Sequence, residues 1–94
     1  MFDEEIKKLR DSIDSLDREI VDAVAKRMLL VKQVGELKKK NNVEVVQNDR
    51  WQQLLSSRMS WATAEGMSSD EIKELFETLH EISVNRQKGI VKES

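Results

Sequence analysis

Residues 6–37 read IKKLRDSIDSLDREIVDAVAKRMLLVKQVGEL, and this stretch decides the fold. Its apolar residues fall on a heptad. One row is Ile6, Ile13, Ile20 and Val34, with Arg27 in the fourth place; the other is Leu9, Leu16, Ala23, Leu30 and Leu37. Two apolar rows repeating every seven residues make one continuous stripe along a helix. No proline breaks it, and Gly35 costs only about 1 kcal/mol in a helix interior. Asp3, Glu4 and Glu5 suit the positive end of a helix dipole, Lys38, Lys39 and Lys40 suit the negative end, and Asn41-Asn42 offers a stop. The stretch therefore predicts one helix from about Asp3 to Lys40, roughly 55 Å long at 1.5 Å per residue.

The rest of the chain is too small to cover a helix of that length. A compact domain of 94 residues has a radius of gyration of about 12 Å, so the helix projects beyond it and leaves its seam open. A second copy of the chain is the economical cover. Downstream, Val43–Val46 makes a short apolar connector for which the sequence offers no partner strand. A second helix is expected from about Asn48 to Ala64, with Trp51, Leu54, Leu55, Met59 and Ala62 on one side and Gly66 placed to end it. Ser68 and Glu71 read as a capping box. The third helix carries Ile72, Leu75, Phe76, Leu79, Ile82, Ile90 and Val91 at helical spacing and ends near Lys92. The expected architecture is all-α: one domain over residues 1–94, with three helices intertwined with a partner in a homodimeric bundle.

Composition agrees and closes off other classes. Charged residues are 36% and aromatics 4%, with no Pro and three Gly, a mix suited to exposed helices rather than a sandwich or barrel. Sixteen basic residues nearly balance 18 acidic ones, so no strongly basic surface points to nucleic acid. The absence of Cys excludes disulfides and thiol catalysis, and His80 alone cannot build a histidine-rich metal site. The start, MFDEEIKKLR, lacks the apolar core of a signal peptide. No apolar run approaches the ~18 residues of a membrane span. A cytoplasmic protein with no nucleic-acid or membrane partner is the expectation.

The informative residues are those that break the stripes. Arg27 stands in a core row, and positions one turn away on its face are Ala23, Val24, Leu30 and Val31. A buried guanidinium needs a partner, so one must come from another helix or from a ligand. Lys38 lies 11 residues on, about three turns and nearly the same face; Arg10 flanks the seam near the other end. The third helix repeats the signature, with Ser83 and Gln87 one above the other in an otherwise apolar row. Cations, a hydroxyl and an amide facing inward, without a matching carboxylate in the rows, form a set that an anionic ligand would complete. Arg10 and Arg27 are about 25 Å apart along one helix, so one small ligand joins them only if two long helices pair antiparallel. Arg27 can equally be a register-setting device paired across a coiled coil. His80 and Trp61 read as an ordinary helix residue and a packing residue.

At these residues the sequence resembles the all-helical, type II class of chorismate mutases. The likeness runs without gaps from Leu9-Arg10 to Gln87, through LRDSIDSLDREIVDAVAKRMLLVKQVGELK, QNDRW and ISVNRQ. The resemblance implies a compact interlocked dimer with two equivalent shared sites, converting chorismate to prephenate on the way to phenylalanine and tyrosine. It implies that Arg27, and Arg10 of the partner subunit, bind carboxylates. Lys38 and Gln87 donate to the ether oxygen, Ser83 supports a carboxylate, and Arg50 completes the wall. Lys38, Gln87 and Arg27 are then the catalytic set, with no metal and no cofactor. Two positions depart from the pattern: Gln47 stands where many relatives carry Asp, and Trp51 where many carry a Glu that accepts from the ring hydroxyl. A similar Gln-x-x-Arg-Trp pattern occurs in mutase domains fused to DAHP synthase, the first enzyme of the shikimate pathway, which makes the chain a candidate part of a longer protein. An isochorismate-pyruvate lyase shares this fold and chemistry, and a silent helical dimerisation module is the alternative of another class.

Overall fold

The computed structural model describes residues 1–92 and consists of α1 (Phe2–Asn41), α2 (Asn48–Ala64) and α3 (Ser69–Lys92), with no strand among the described residues. None of these helices is long and apolar enough to cross a membrane.

Both interhelical stops are built the same way. Asn42, at φ 55°, takes the left-handed conformation that closes a helix. Its N–H bonds the Lys39 carbonyl at 3.4 Å and the Val43 N–H bonds the Lys38 carbonyl at 2.9 Å. Gly66, at φ 76°, repeats the pair with Thr63 at 3.0 Å and Met67 to Ala62 at 2.8 Å. Each is a Schellman closure, which satisfies carbonyls the helix end would otherwise leave open. At the start of α3 the Glu71 N–H reaches the Ser68 hydroxyl at 3.4 Å, so the Ser68 half of the expected capping box is in place.

The chain divides into two compact units, Met1–Leu30 and the remainder from Val31. The first is a single helical stretch. Asp3, Glu4 and Glu5 occupy its first turn, and Lys7 pairs with Asp11 at 3.1 Å on its exposed surface. Its heptad rows are bare: Leu9 is 62% exposed, Ile20 59% and Leu30 60%.

In the second unit α2 and α3 lie antiparallel, since Trp51 meets His80 and Arg58 meets Phe76. Leu54 and Ala62 of α2 and Ser83 and Gln87 of α3 are buried, with Trp51, Leu55, Met59, Phe76, Leu79 and Ile90 half-buried beside them. The inward row of α3 is thus Ile72, Phe76, Leu79, Ser83, Gln87, Ile90, as its spacing predicts. Leu75, Ile82 and Val91 face outward instead, on the side of the 24-residue helix turned away from α2 and the end of α1. Trp61, expected to pack inside, is 59% exposed and lies flat under the Arg58 guanidinium, 4.6 Å from the ring centre. A cation over an indole face is favourable on a wet surface.

At Gly66 a Cβ would meet nothing within 4 Å, so Gly66→Ala isolates the backbone. The left-handed conformation costs a side chain about 1–2 kcal/mol. A thermal melt followed by far-UV circular dichroism is expected to show Tm lower by roughly 4–8 °C per kcal/mol. An unchanged Tm would show that this turn does not constrain the hairpin.

Candidate active site

Lys38 sits in the last turn of α1, half-buried. Its Nζ donates to the Val45 carbonyl at 2.7 Å and to Gln87 Oε1 at 2.9 Å. Three elements therefore meet at one ammonium: the end of α1, the connector and α3. Burial lowers the Lys38 pKa from its ordinary value, because desolvation disfavours the charged form. An ammonium has three N–H donors and no acceptor, so these two bonds leave one donor over.

The same bond orients Gln87. Because Lys38 can only donate, the amide must turn its oxygen toward the lysine, and its NH2 group faces the other way. Gln87 is buried at 7% exposure, so that NH2 orientation is held by packing as well as by the lysine. Ser83, one turn earlier on the same row, is also buried, and its hydroxyl donates to the Leu79 carbonyl at 2.8 Å. To donate to a carboxylate it has to rotate away from that carbonyl.

Gly35 makes the arrangement possible. A Cβ there would stand 3.1 Å from Gln87 Cγ, 3.2 Å from Ile90 Cδ1 and 3.5 Å from Gln87 Cα. The backbone of α1 thus approaches α3 to a distance at which a methyl group fits only if the Gln87 and Ile90 side chains give by a few tenths of an ångström. By sequence alone this glycine reads as a tolerated interruption; an isolated Gly inside a strong helical pattern is the available signal.

The other expected residues are distributed as follows. Gln47 precedes α2 with extended backbone and no side-chain cap, and with Asn48, Asp49, Arg50 and Gln53 it lines an open cleft of about 380 Å³. Trp51 is in the first turn of α2, its ring stacked on His80 with centres 4.0 Å apart and planes 20° apart. In the first unit Arg27 is half-buried and Arg10 exposed. Sequence reading missed three features: the Val45 carbonyl as a partner of Lys38, the stacking role of His80, and Arg58. Arg58 is half-buried, donates from Nη1 to Ser57 Oγ at 2.9 Å, and has its pKa lowered by burial first and by the charge of Arg50 second. His80 lies three residues before Ser83 and seven before Gln87, a spacing that already places all three on one face.

The close approach at Gly35 gives a direct test. Gly35→Ala adds about 1 kcal/mol of helix preference, but overpacking against a Gln87 side chain held by Lys38 costs about 1–3 kcal/mol. Urea unfolding is expected to show a net loss of stability. A more stable variant would mean that Gln87 shifts freely and that the lysine does not hold it.

The chain matches the sequence profile of the family described as chorismate mutase type II over residues 9–88. It is 39% identical over 75 residues to a T-protein of Haemophilus influenzae, covering 80% of this chain and 20% of that protein. It is 38% identical over 72 residues to a T-protein of Enterobacter agglomerans, covering 77% and 19%. A bifunctional chorismate mutase/prephenate dehydratase of Buchnera aphidicola is 30% identical over 83 residues, covering 88% and 22%. The chain spans about one fifth of the length of these relatives. The matched span reaches from the turn that holds Arg10 to the turn that holds Gln87, and the chain belongs to the chorismate mutase type II family.

Proposed function

We propose that the chain catalyses the rearrangement of chorismate to prephenate as a homodimer, in sites that two copies share. The observation that carries this reading is the Lys38–Gln87 pair, one cation and one oriented amide held 2.9 Å apart in half-buried surroundings. A [3,3] rearrangement needs no nucleophile, metal or proton transfer. It needs a flexible substrate held in its chair-like conformer and donors aimed at an ether oxygen that gains negative charge as the C–O bond breaks. The remaining Lys38 N–H and the Gln87 NH2 are donors of that kind. Arg27, and Arg10 of the partner subunit, clamp the two carboxylates, since guanidinium pairs bidentately with carboxylate. Ser83 supports one carboxylate after leaving the Leu79 carbonyl, and Gln47, Arg50 and Trp51 shape the remaining wall. On this reading the chain is one catalytic domain, acting in the cytoplasm on a free dicarboxylate, without cofactor, nucleic acid or membrane.

The pattern of burial supports the dimer. Among the described apolar residues only Met28, Leu54 and Ala62 are buried, while Leu9, Ile13, Leu16, Ile20, Leu30 and Leu37 stay exposed along the heptad rows. A chain this short has a marginal core at best, and burying that stripe against a second copy supplies what one copy lacks at about 25 cal/mol per Å². Analytical ultracentrifugation at micromolar concentration is expected to show a dimer. A stable, well-folded monomer would sink the shared-site arrangement, because Arg10 and Arg27 of one chain are too far apart to hold one ligand.

Product identification by NMR, with chorismate and isochorismate offered separately, tests the reaction itself. Prephenate from chorismate is expected; salicylate and pyruvate from isochorismate alone would assign the lyase activity instead. Arg27→Ala is expected to lose nearly all turnover with the dimer retained, whereas a register device would change the oligomeric state. Lys38→Ala is expected to lower kcat more than it raises KM, because its donor meets charge that develops only in the transition state. In the parent chain turnover depends on the ammonium form, so it falls as pH rises through the Lys38 pKa, which burial sets below the ordinary lysine value. Full activity of Arg27→Ala would show the site assignment to be wrong.

A further inference from the structure

We propose that His80 is a positioning residue that acts through Trp51, fixing the indole as a flat wall against which the substrate ring packs; the proposal rests on the mutase reading above. The two rings are nearly parallel, 20° apart in plane with centres 4.0 Å apart, and both residues are half-buried. Trp51 belongs to the first turn of α2, where its backbone N–H bonds the Gln47 carbonyl at 3.0 Å. His80 comes from α3. The stack therefore ties the start of α2, next to Gln47 and Arg50, to the helix that carries Ser83 and Gln87.

Register decides which way the stack bears. Positions 80, 83 and 87 lie on one face of α3, each about one turn further along. Ser83 and Gln87 are buried on that face, and Gln87 holds Lys38. His80 thus starts the polar row that ends at the ammonium, and the indole covers its beginning. An indole has one N–H donor and no acceptor, so it cannot take a hydrogen bond from a ring hydroxyl. What it offers is a broad apolar face that packs on a flat unsaturated ring and keeps water out. That face is useful only if it stays in place, and a ring stacked behind it removes the freedom of the two side-chain torsions of Trp51. Packing of this kind is felt equally by the bound substrate and the transition state, so it bears on affinity and leaves the chemical step alone.

Steady-state kinetics on four variants of the full chain test this. His80→Ala is expected to raise KM about five- to tenfold, the worth of an aromatic pair, with kcat within about twofold. His80→Phe keeps a flat ring without a titratable nitrogen and is expected to bring KM back to within about twofold of the parent. With Trp51→Ala in place, adding His80→Ala is expected to raise KM no further, because the two residues act as one unit. An unchanged KM in His80→Ala, a loss confined to kcat, or additive effects in the double variant would each overturn the proposal.

A second measurement does not depend on turnover. In a Trp61→Phe chain the emission of Trp51 alone follows chorismate binding, and His80→Ala is expected to weaken that Kd by the same factor. Binding that depends on His80 without prephenate formation would sink the mutase reading and leave this proposal standing. Mutase turnover and binding that ignore His80 would do the reverse. A chain that does not bind chorismate overturns both.

Discussion

The part of the structure that follows Val31 depends on one half-buried ammonium. Lys38 donates to a backbone carbonyl of the connector and to the side-chain oxygen of Gln87, and each bond constrains something different. The Val45 bond fixes the path of residues 42–47 after the Schellman closure at Asn42. The Gln87 bond fixes the polarity of an amide whose two ends are otherwise nearly equivalent. Gly35, three residues earlier on α1, lies close against Gln87 and Ile90 of α3. A charge placed in partly dry surroundings is unfavourable in isolation, and the lowered pKa of Lys38 records that desolvation. Two short hydrogen bonds offset it and leave one donor to spare.

That arrangement suits the proposed reaction, in which bonds break and form within the substrate and none forms to the protein. The chain contains no Cys and one His, and a pericyclic rearrangement asks for neither. Catalysis in such a case is orientation plus donors placed where charge appears. The economy shows in the fold. Helices carry the groups, turns hold the helices, and the side chains held by these contacts, Lys38, Gln87 and Ser83, are those that the family resemblance marks. The bare heptad stripe of the first thirty residues belongs to the same logic. A helix whose apolar rows stay exposed in one copy suits burial against another, and in the proposed site, which would draw an arginine from each copy, assembly would be a condition for binding.

The two departures from the common family pattern fall together at the start of α2. By the resemblance, Gln47 and Trp51 stand where many relatives carry acids, so these two positions present neutral groups instead. In exchange Trp51 gains a ring partner in His80, and Arg58 rests over Trp61 and Phe76. Aromatic faces do here what carboxylates would do elsewhere: they give cations and flat rings a place to lie.

The sequence by itself determined the helices and the residues they turn inward. Heptad spacing, end charges and turn residues are local signals, each acting within a few residues, and they set the bounds of α1, α2 and α3 to within one residue of those observed. Interruptions of the apolar rows picked out Arg27, Ser83 and Gln87, because a polar group in a buried row has to be satisfied by something. Only the tertiary structure decided that Lys38 bonds Val45 and Gln87, that Gly35 lies against Gln87 and Ile90, that Trp51 lies on His80, and that Trp61 faces outward. Those pairings join residues from different helices, and periodicity along one helix says which face a residue occupies without saying what stands opposite it.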